Sequence, residues 1–497
     1  MFGFSKGLIA MALAAFLVVG GGAVGTAAYV NQDEVVVRNA VVGFVSDTLE
    51  REEIASVLDL IDGGSVELGV NSVKGNIGTD YLNGMQLSGK AYFAKDALML
   101  ENVSVTGIGK SKLSLEFDAY FDKSTAYVTE ENILGGTYGI EIGELADDFS
   151  NSVVAPGKNT DYSLDQKTFD MIKKVLEYVD EMDTESMTKD IEKMVTRYVK
   201  QGWKILEENA EYDSKTKKVS VGGSKTEARV ITVTVDKYAL IDMIEDVLNY
   251  VEDDDELYDY LEENYDQIAG LVDYGVKPQS FDKLWEETIK SVRATVSYIQ
   301  QMEIKDITVE LVTPKFSSKL LKATLLYGGN TLGSLDVGED GIKESEKITF
   351  TTGNLEYVYE IKENSKDTFE ATFTAPIYKW DSKTWEGSYV NTEVVKLVVD
   401  YDDDSYKFSY NDGYSTGFVS GELVKELFGF GATIVTVDTV DINGLIFKVD
   451  AEMVFKNNDK MPKPETDITS VLLITESDIN KWMDKLDDYV EALYEIF

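Results

Sequence analysis

Strand-like and helix-like patterns in this chain come in separate blocks, which limits its possible folds more than any other feature. Residues 113–122 alternate apolar and polar side chains, which predicts an antiparallel strand with Phe117 and Phe121 on a buried face and Tyr120 on a wet face. Residues 237–302 instead repeat apolar side chains at helical spacing. The blocks predict an α+β fold of antiparallel, curved sheets (meanders) with inserted helical hairpins, and disfavour regular βαβ architectures.

Three local signals fix particular turns and helix ends. Asn443-Gly444 joins two long β-prone stretches and is the strongest hairpin signal in the chain. Residues 219–235 also have the pattern of a hairpin. Thr475, with Asp478 three residues later, predicts the start of a C-terminal helix.

Composition and pattern divide the chain into five segments. We predict a cytoplasmic stub with a transmembrane anchor in residues 1–30 and a juxtamembrane helical segment in 31–62. A first α+β region follows in 63–236, then a three-helix segment in 237–302. A second β-rich region with a C-terminal helix occupies 303–497.

Residues 7–30 are uncharged and long enough to cross a bilayer as a helix. Lys6 precedes this stretch, while Asp33 and Glu34 follow it, so the positive-inside rule predicts a cytoplasmic N-terminus. We therefore expect a single-pass protein of the cytoplasmic membrane whose body is extracytoplasmic and whose membrane contact is residues 7–30. A cleaved signal peptide is the alternative, but the apolar stretch is longer than the usual signal core.

The chain contains no histidine and no cysteine. Catalytic triads, thiol nucleophiles, disulfides and the common zinc sites are therefore excluded, and we expect no enzyme of these classes. The net charge of −43 repels polyanions, so we predict no nucleic-acid partner. Arginine, which supplies fork-shaped phosphate and carboxylate clamps, is scarce.

Several catalytic motifs occur in a context that does not suit them. Gly413-Tyr-Ser-Thr-Gly417 matches the nucleophile elbow of hydrolases, but it lies between two β-prone stretches and predicts a hairpin turn. The P-loop-like residues 84–90 have Lys90 entering a strand rather than a helix. Ser-x-x-Lys spacing occurs at 186–189, 214–217 and 280–283, about as often as chance would give.

Carboxylate chemistry and hard-cation binding remain open to a chain so rich in acidic residues. Asp400, Asp402 and Asp404 have the spacing of the first three ligands of a calcium loop, but the glycine and the bidentate glutamate of that loop are missing. These three residues are the candidates for weak calcium binding, and we predict no other cofactor or metal. The acidic residues 252–256 have the pattern of a solvated helix junction.

Trp380 and Trp385 are candidates for stacking on a sugar ring beside a pair of carboxylates. The alternative interpretation, which the sequence favours, is a loop whose tryptophans fix it to the sheet. We predict no catalytic residue on this basis.

In layout the chain resembles the uncharacterised membrane-anchored surface proteins of low-GC Gram-positive bacteria. The shared traits are the N-terminal anchor, the acidic composition with lysine in excess of arginine, and strand blocks separated by helices. The resemblance rests on no residue motif and implies no site. We expect a non-enzymatic binding or scaffolding module for a cell-surface protein, glycan or lipid. The alternatives are a lipid-carrier-like domain and a carboxylate-dependent glycoside hydrolase.

Overall fold

The computed structural model describes residues 32–75, 83–108, 113–158, 163–181, 184–271, 279–365, 368–381, 386–423 and 433–494. It confirms the α+β class, with a large, curved antiparallel sheet accompanied by helices. The predicted transmembrane helix in residues 7–30 lies outside the described residues. None of the helices in the described part of the chain is long and apolar enough to span a bilayer.

The described helices are α1 (Asp33–Leu49), α2 (Glu52–Gly63), α3 (Leu145–Asn151), α4 (Gln166–Glu181), α5 (Thr184–Asn209), α6 (Lys237–Glu252), α7 (Asp255–Leu271), α8 (Phe281–Gln301), α9 (Gly341–Glu344) and α10 (Glu476–Tyr494). The strands in the first half of the chain are β1 (Ser65–Gly75), β2 (Gln86–Ala94), β3 (Ala97–Ile108), β4 (Leu113–Phe121), β5 (Thr125–Glu130), β6 (Gly136–Glu141), β7 (Glu211–Val221) and β8 (Ser224–Val235). Those in the second half are β9 (Ile307–Pro314), β10 (Lys322–Tyr327), β11 (Asn330–Asp336), β12 (Lys347–Thr352), β13 (Leu355–Ser365), β14 (Thr368–Asp381), β15 (Glu386–Asp400), β16 (Ser405–Asn411), β17 (Thr416–Glu422), β18 (Thr433–Ile442), β19 (Leu445–Lys456) and β20 (Thr469–Ser470).

The chain divides into two compact units. Unit 1 comprises the described residues of Met1–Arg51, Glu185–Ile361 and Phe373–Asn391. Unit 2 comprises those of Glu52–Thr184, Lys362–Thr372 and Thr392–Phe497. The predicted three-helix segment lies within unit 1, whereas the segments 31–62, 63–236 and 303–497 each contribute residues to both units.

In unit 1, strands β7 to β13 form a meander in which each strand pairs antiparallel with the next. Helix α1 packs on this sheet through Val37 and Val41, which contribute to a core with Trp203 of α5 and Ile231 of β8. Ile231 is fully buried, and burial of such a side chain contributes about 1.5–3 kcal/mol. The predicted hairpin at 219–235 is confirmed, and its strands extend back to Glu211.

In unit 2, the chain order and the strand order differ. Strands β16 to β19 form a meander, and β19 then pairs with β1 of the N-terminal half, with Ser65 opposite Lys456. Strands β1 to β6 continue the antiparallel order, and β20 adds a short parallel pair with β6. Asn443 and Gly444 connect β18 to β19 with φ of 54° and 82°, the left-handed conformation that a tight hairpin turn requires, so this prediction is confirmed.

Strand β4 forms where the sequence predicts it, but the predicted orientation of its end is wrong. Tyr120 is buried, whereas Phe121 is 63% exposed. Tyr120 stacks on Tyr127 at 5.4 Å between ring centroids, in a cluster against which Met461 packs. A segment far along the chain therefore covers the tyrosine side of β4, and a two-residue period cannot reveal that cover.

Candidate functional site: an exposed aromatic hairpin

The part of the β14–β15 hairpin that belongs to unit 1 carries three exposed aromatic side chains. Tyr378, Trp380 and Tyr389 are 46%, 56% and 59% exposed. Large aromatic side chains are usually buried, and exposed groups of them commonly mark binding surfaces. We call Tyr378, Trp380, Gly387 and Tyr389 the aromatic hairpin.

One face of the hairpin holds all three rings. Tyr378 and Trp380 are two residues apart on β14, so their side chains point to the same face. Tyr389 of β15 meets Tyr378 at 5.3 Å between ring centroids, with the ring planes inclined by 67°. The three rings therefore form one aromatic surface.

Gly387 gives Tyr378 its place on this surface. A Cβ atom at Gly387 would fall on the phenol group of Tyr378, so the ring lies directly over the glycine. Glycine at this position of β15 is therefore a packing requirement of the aromatic surface.

The opposite face of the same hairpin is open as well. Lys379, Ser388 and Val390 are all exposed, so neither face is covered by the protein core. The prediction of a loop at Trp380 is wrong, because Trp380 belongs to strand β14, where more than half of its side chain is exposed. Trp385 lies outside the described residues. Sequence reasoning missed Tyr378 and Tyr389, although the two-residue spacing of Tyr378 and Trp380 was a usable signal.

A serine and a lysine meet in unit 2 at positions that the Ser-x-x-Lys motif does not predict. Ser65 Oγ donates a 2.7 Å hydrogen bond to Asp459 Oδ2, and Lys90 Nζ lies 2.7 Å from the same oxygen. Burial alone would lower the pKa of Lys90, but hydrogen bonds to Asp459 and Tyr92 outweigh burial and raise it. A general-base lysine has to be neutral, so this arrangement supports the fold rather than a Ser–Lys reaction.

The Ser-x-x-Lys motifs themselves have no catalytic geometry where they are described. Ser214 and Lys217 lie on strand β7, where residues three apart point to opposite faces. Lys283, on the first turn of α8, is exposed and lies 3.8 Å from Glu287. The side chain of Ser186 lies outside the described residues.

The calcium candidates lie in the turn between β15 and β16. Asp400 accepts hydrogen bonds from the backbone N–H groups of Asp402 and Asp403, and Asp404 has a left-handed φ of 47°. Asp400 thus serves the turn itself. In the described ranges no group of three or more acidic side chains could hold a metal ion, and calcium binding at Asp400, Asp402 and Asp404 stays a prediction.

The acidic residues 252–256 form the junction between α6 and α7. Asp254 Oδ1 accepts the backbone N–H of Leu257 at 3.1 Å, which caps the start of α7. Its other oxygen lies 2.6 Å from Arg197, which also pairs with Glu256. The predicted helix junction is confirmed, but it is not fully solvated, because Asp254 is buried against Arg197 of α5.

The other two motifs are turns, as the sequence predicts. The motif at 413–417 spans the turn between β16 and β17 and the start of β17, with Asp412 accepting the backbone N–H groups of Tyr414 and Ser415 at 2.9 and 2.6 Å. Gly84 has a positive φ of 86°, and Lys90 belongs to strand β2. Neither motif has the strand-to-helix geometry that its chemistry requires.

Comparison with protein-family models and with curated proteins found no match for this chain. The resemblance to Gram-positive surface proteins therefore stays a prediction.

Proposed function

We propose that this chain is a non-enzymatic, membrane-anchored binding protein of the outer cell surface, and that its aromatic hairpin binds a neutral glycan. The observation that carries the proposal is the aromatic surface formed by Tyr378, Trp380 and Tyr389 on a hairpin with both faces open. The uncharged residues 7–30 support the anchor, and the absence of histidine and cysteine supports binding without catalysis.

The chemistry of the surface favours sugars. A pyranose ring offers a face of C–H groups, which complements the negative face of an aromatic ring. The tyrosine hydroxyl groups add polar contacts at the edges of the rings. Glu386, on the hairpin itself, is exposed and repels an anionic ligand locally, so this surface favours a neutral one.

The test is binding of the full chain in detergent to immobilised neutral polysaccharides, with a glucan, a mannan and chitin as probes. We expect Trp380→Ala and Tyr389→Ala each to weaken binding to the preferred glycan by at least tenfold. Tyr414→Ala is the matched control, because Tyr414 is 88% exposed on the turn of a different hairpin, and it should bind like the wild type.

Four outcomes would contradict the proposal. The hairpin is not the glycan site if Tyr414→Ala weakens binding as much as Trp380→Ala, or if no probe binds. Binding to neutral lipid vesicles that depends on Trp380 would instead make the hairpin a membrane contact. Release of reducing ends from a bound glycan would show an enzyme and favour the glycoside hydrolase hypothesis.

A further inference from the structure

A groove in unit 1 is lined mainly by cations, although the chain as a whole is strongly acidic. The groove is open to solvent, with a volume of about 750 Å³. Its cationic side chains all come from α5, and they are Lys189, Lys193, Arg197, Lys200 and Lys204. Glu192 is the acidic residue that lines it. We call the five cations the basic row.

The basic row follows from helical spacing. Its members are separated by four, four, three and four residues, which places them along one side of α5. At 1.5 Å per residue the row extends over about 22 Å. The cations are therefore arranged in a line rather than gathered around one point.

Arg197 fixes α5 against the junction between α6 and α7. Its guanidinium pairs with Asp254, whose side chain is only 6% exposed, and with Glu256. Tyr198 also donates a 2.8 Å hydrogen bond to Asp254, and its ring meets Tyr250 edge-on at 5.2 Å between centroids. Burial, and next the hydrogen bond to Asp254, raise the pKa of Tyr198. These contacts fix α5 against the α6–α7 junction, so the row is rigid at its centre.

Two lysines of the row, Lys193 and Lys204, form exposed ion pairs that are weaker than those of Arg197. Lys193 pairs with Asp190 at 2.9 Å and Lys204 with Glu208 at 3.8 Å, within the same helix and with largely exposed side chains. Exposed pairs of this kind contribute little to stability. A ligand with several negative charges can therefore replace them at small cost.

We propose that the basic row binds a linear phosphate polymer without bases. Lysine binds phosphate as a point charge, and four of the five cations of the row are lysines. A small anion would reach one or two of the lysines, but an extended chain can follow all of them. Tyr250 is the one aromatic residue lining the groove, too few for the successive base stacking typical of single-stranded nucleic acids.

The experiment is titration of the full chain in detergent with long-chain polyphosphate, pyrophosphate and a single-stranded oligonucleotide. The test variant is the triple substitution Lys193→Gln, Lys200→Gln and Lys204→Gln. The control variant removes the same charge from exposed lysines of strand β7, through Lys215→Gln, Lys217→Gln and Lys218→Gln. Arg197 is retained in both variants because it fixes the helix.

We expect wild type to bind polyphosphate at least tenfold more tightly than pyrophosphate or the oligonucleotide. The test variant should lose at least tenfold in polyphosphate affinity, and the control less than twofold. The slope of log K against log salt should fall by about two in the test variant, at roughly 0.7 for each lost phosphate contact.

Absence of polyphosphate binding, or equal loss in the two triple variants, would overturn the site. Equal affinity for pyrophosphate would overturn the linear arrangement as the basis of recognition. Equal affinity for the oligonucleotide would overturn the preference for a chain without bases. Because the variants leave the aromatic hairpin intact, glycan binding reports on the two proposals separately.

Discussion

Ser65 and Asp459 are 394 positions apart in the sequence, yet Ser65 Oγ donates a 2.7 Å hydrogen bond to Asp459 Oδ2. The same carboxylate holds Lys90, whose ammonium lies 4.3 Å from the ring centroid of Tyr92. The contact joins the start of β1 to the segment that follows β19. Residues from the two ends of the sequence of unit 2 therefore meet in this contact.

Asp459→Ala should destabilise the protein by about 1–3 kcal/mol, because it leaves the fully buried hydroxyl of Ser65 and the half-buried ammonium of Lys90 without this partner. Urea unfolding followed by circular dichroism measures the change. Glu67→Ala is the control, since Glu67 forms an exposed pair with Lys456 at 4.0 Å, and it should change stability by less than about 0.5 kcal/mol. Equal losses of stability in the two variants would show that the Asp459 cluster stabilises the protein no more than an exposed ion pair does.

The contribution of Asp459 to the free energy of unfolding should depend on pH. The hydrogen bonds from Lys90 and Ser65 lower the pKa of Asp459 in the folded protein. Its stabilisation is therefore present above the unfolded pKa of about 3.9 and is lost as the pH falls through the lower folded value. The pKa of Lys90 is raised in the folded protein. The ammonium of Lys90 therefore stabilises the fold fully below its unfolded pKa of about 10, and this stabilisation is lost as the pH rises further.

Unfolding measured at a series of pH values from about 3 to 7 tests the acid side. The difference in stability between wild type and Asp459→Asn should be constant near neutrality and should shrink in acid. A difference that stays unchanged down to about pH 3 would contradict the assignment.

Gly387→Ala should disrupt the aromatic hairpin without unfolding the protein. The added methyl group would meet the phenol end of Tyr378, which can swing away at small cost. We expect unchanged thermal unfolding and weaker glycan binding. Unchanged glycan affinity would show that the position of Tyr378 is irrelevant to binding.

Gly421→Ala, in contrast, should lower the stability of the fold. Its methyl group would meet the backbone carbonyl of Thr436 on β18, which cannot move without opening the β17–β18 ladder. Overpacking of this kind costs about 1–3 kcal/mol. Gly69→Ala is the matched control in the same unit, because open space surrounds Gly69. Equal unfolding midpoints for the two variants would contradict the packing at Gly421.

The features that the sequence predicted well are those set by neighbouring residues. Thr475 and Asp478 form the expected reciprocal cap, with Thr475 Oγ1 accepting the backbone N–H of Asp478 at 3.2 Å and Asp478 Oδ2 accepting the backbone N–H of Thr475 at 3.0 Å. The turn at Asn443-Gly444 likewise needs only two residues and their flanking strands.

The features that the sequence missed depend on distant partners. The pairing of β1 with β19 and the burial of Tyr120 both require knowing which remote segment arrives there. The aromatic surface and the basic row were missed for another reason. Both are regular in spacing, but a regular pattern of aromatic or charged residues is ordinarily assigned to the core or to a solvated helix face.

The pairing of β1 with β19 also affects how the chain folds during its synthesis. Strand β1 leaves the ribosome early, whereas β19 is made close to the end of synthesis. At 5–20 residues per second, β1 waits about 20–80 s for its neighbour. During that interval one edge of the first hairpins offers unpaired N–H and C=O groups, the kind of edge that recruits other chains. This topology therefore makes association between nascent chains, rather than low stability of the finished protein, the main risk when the protein is produced.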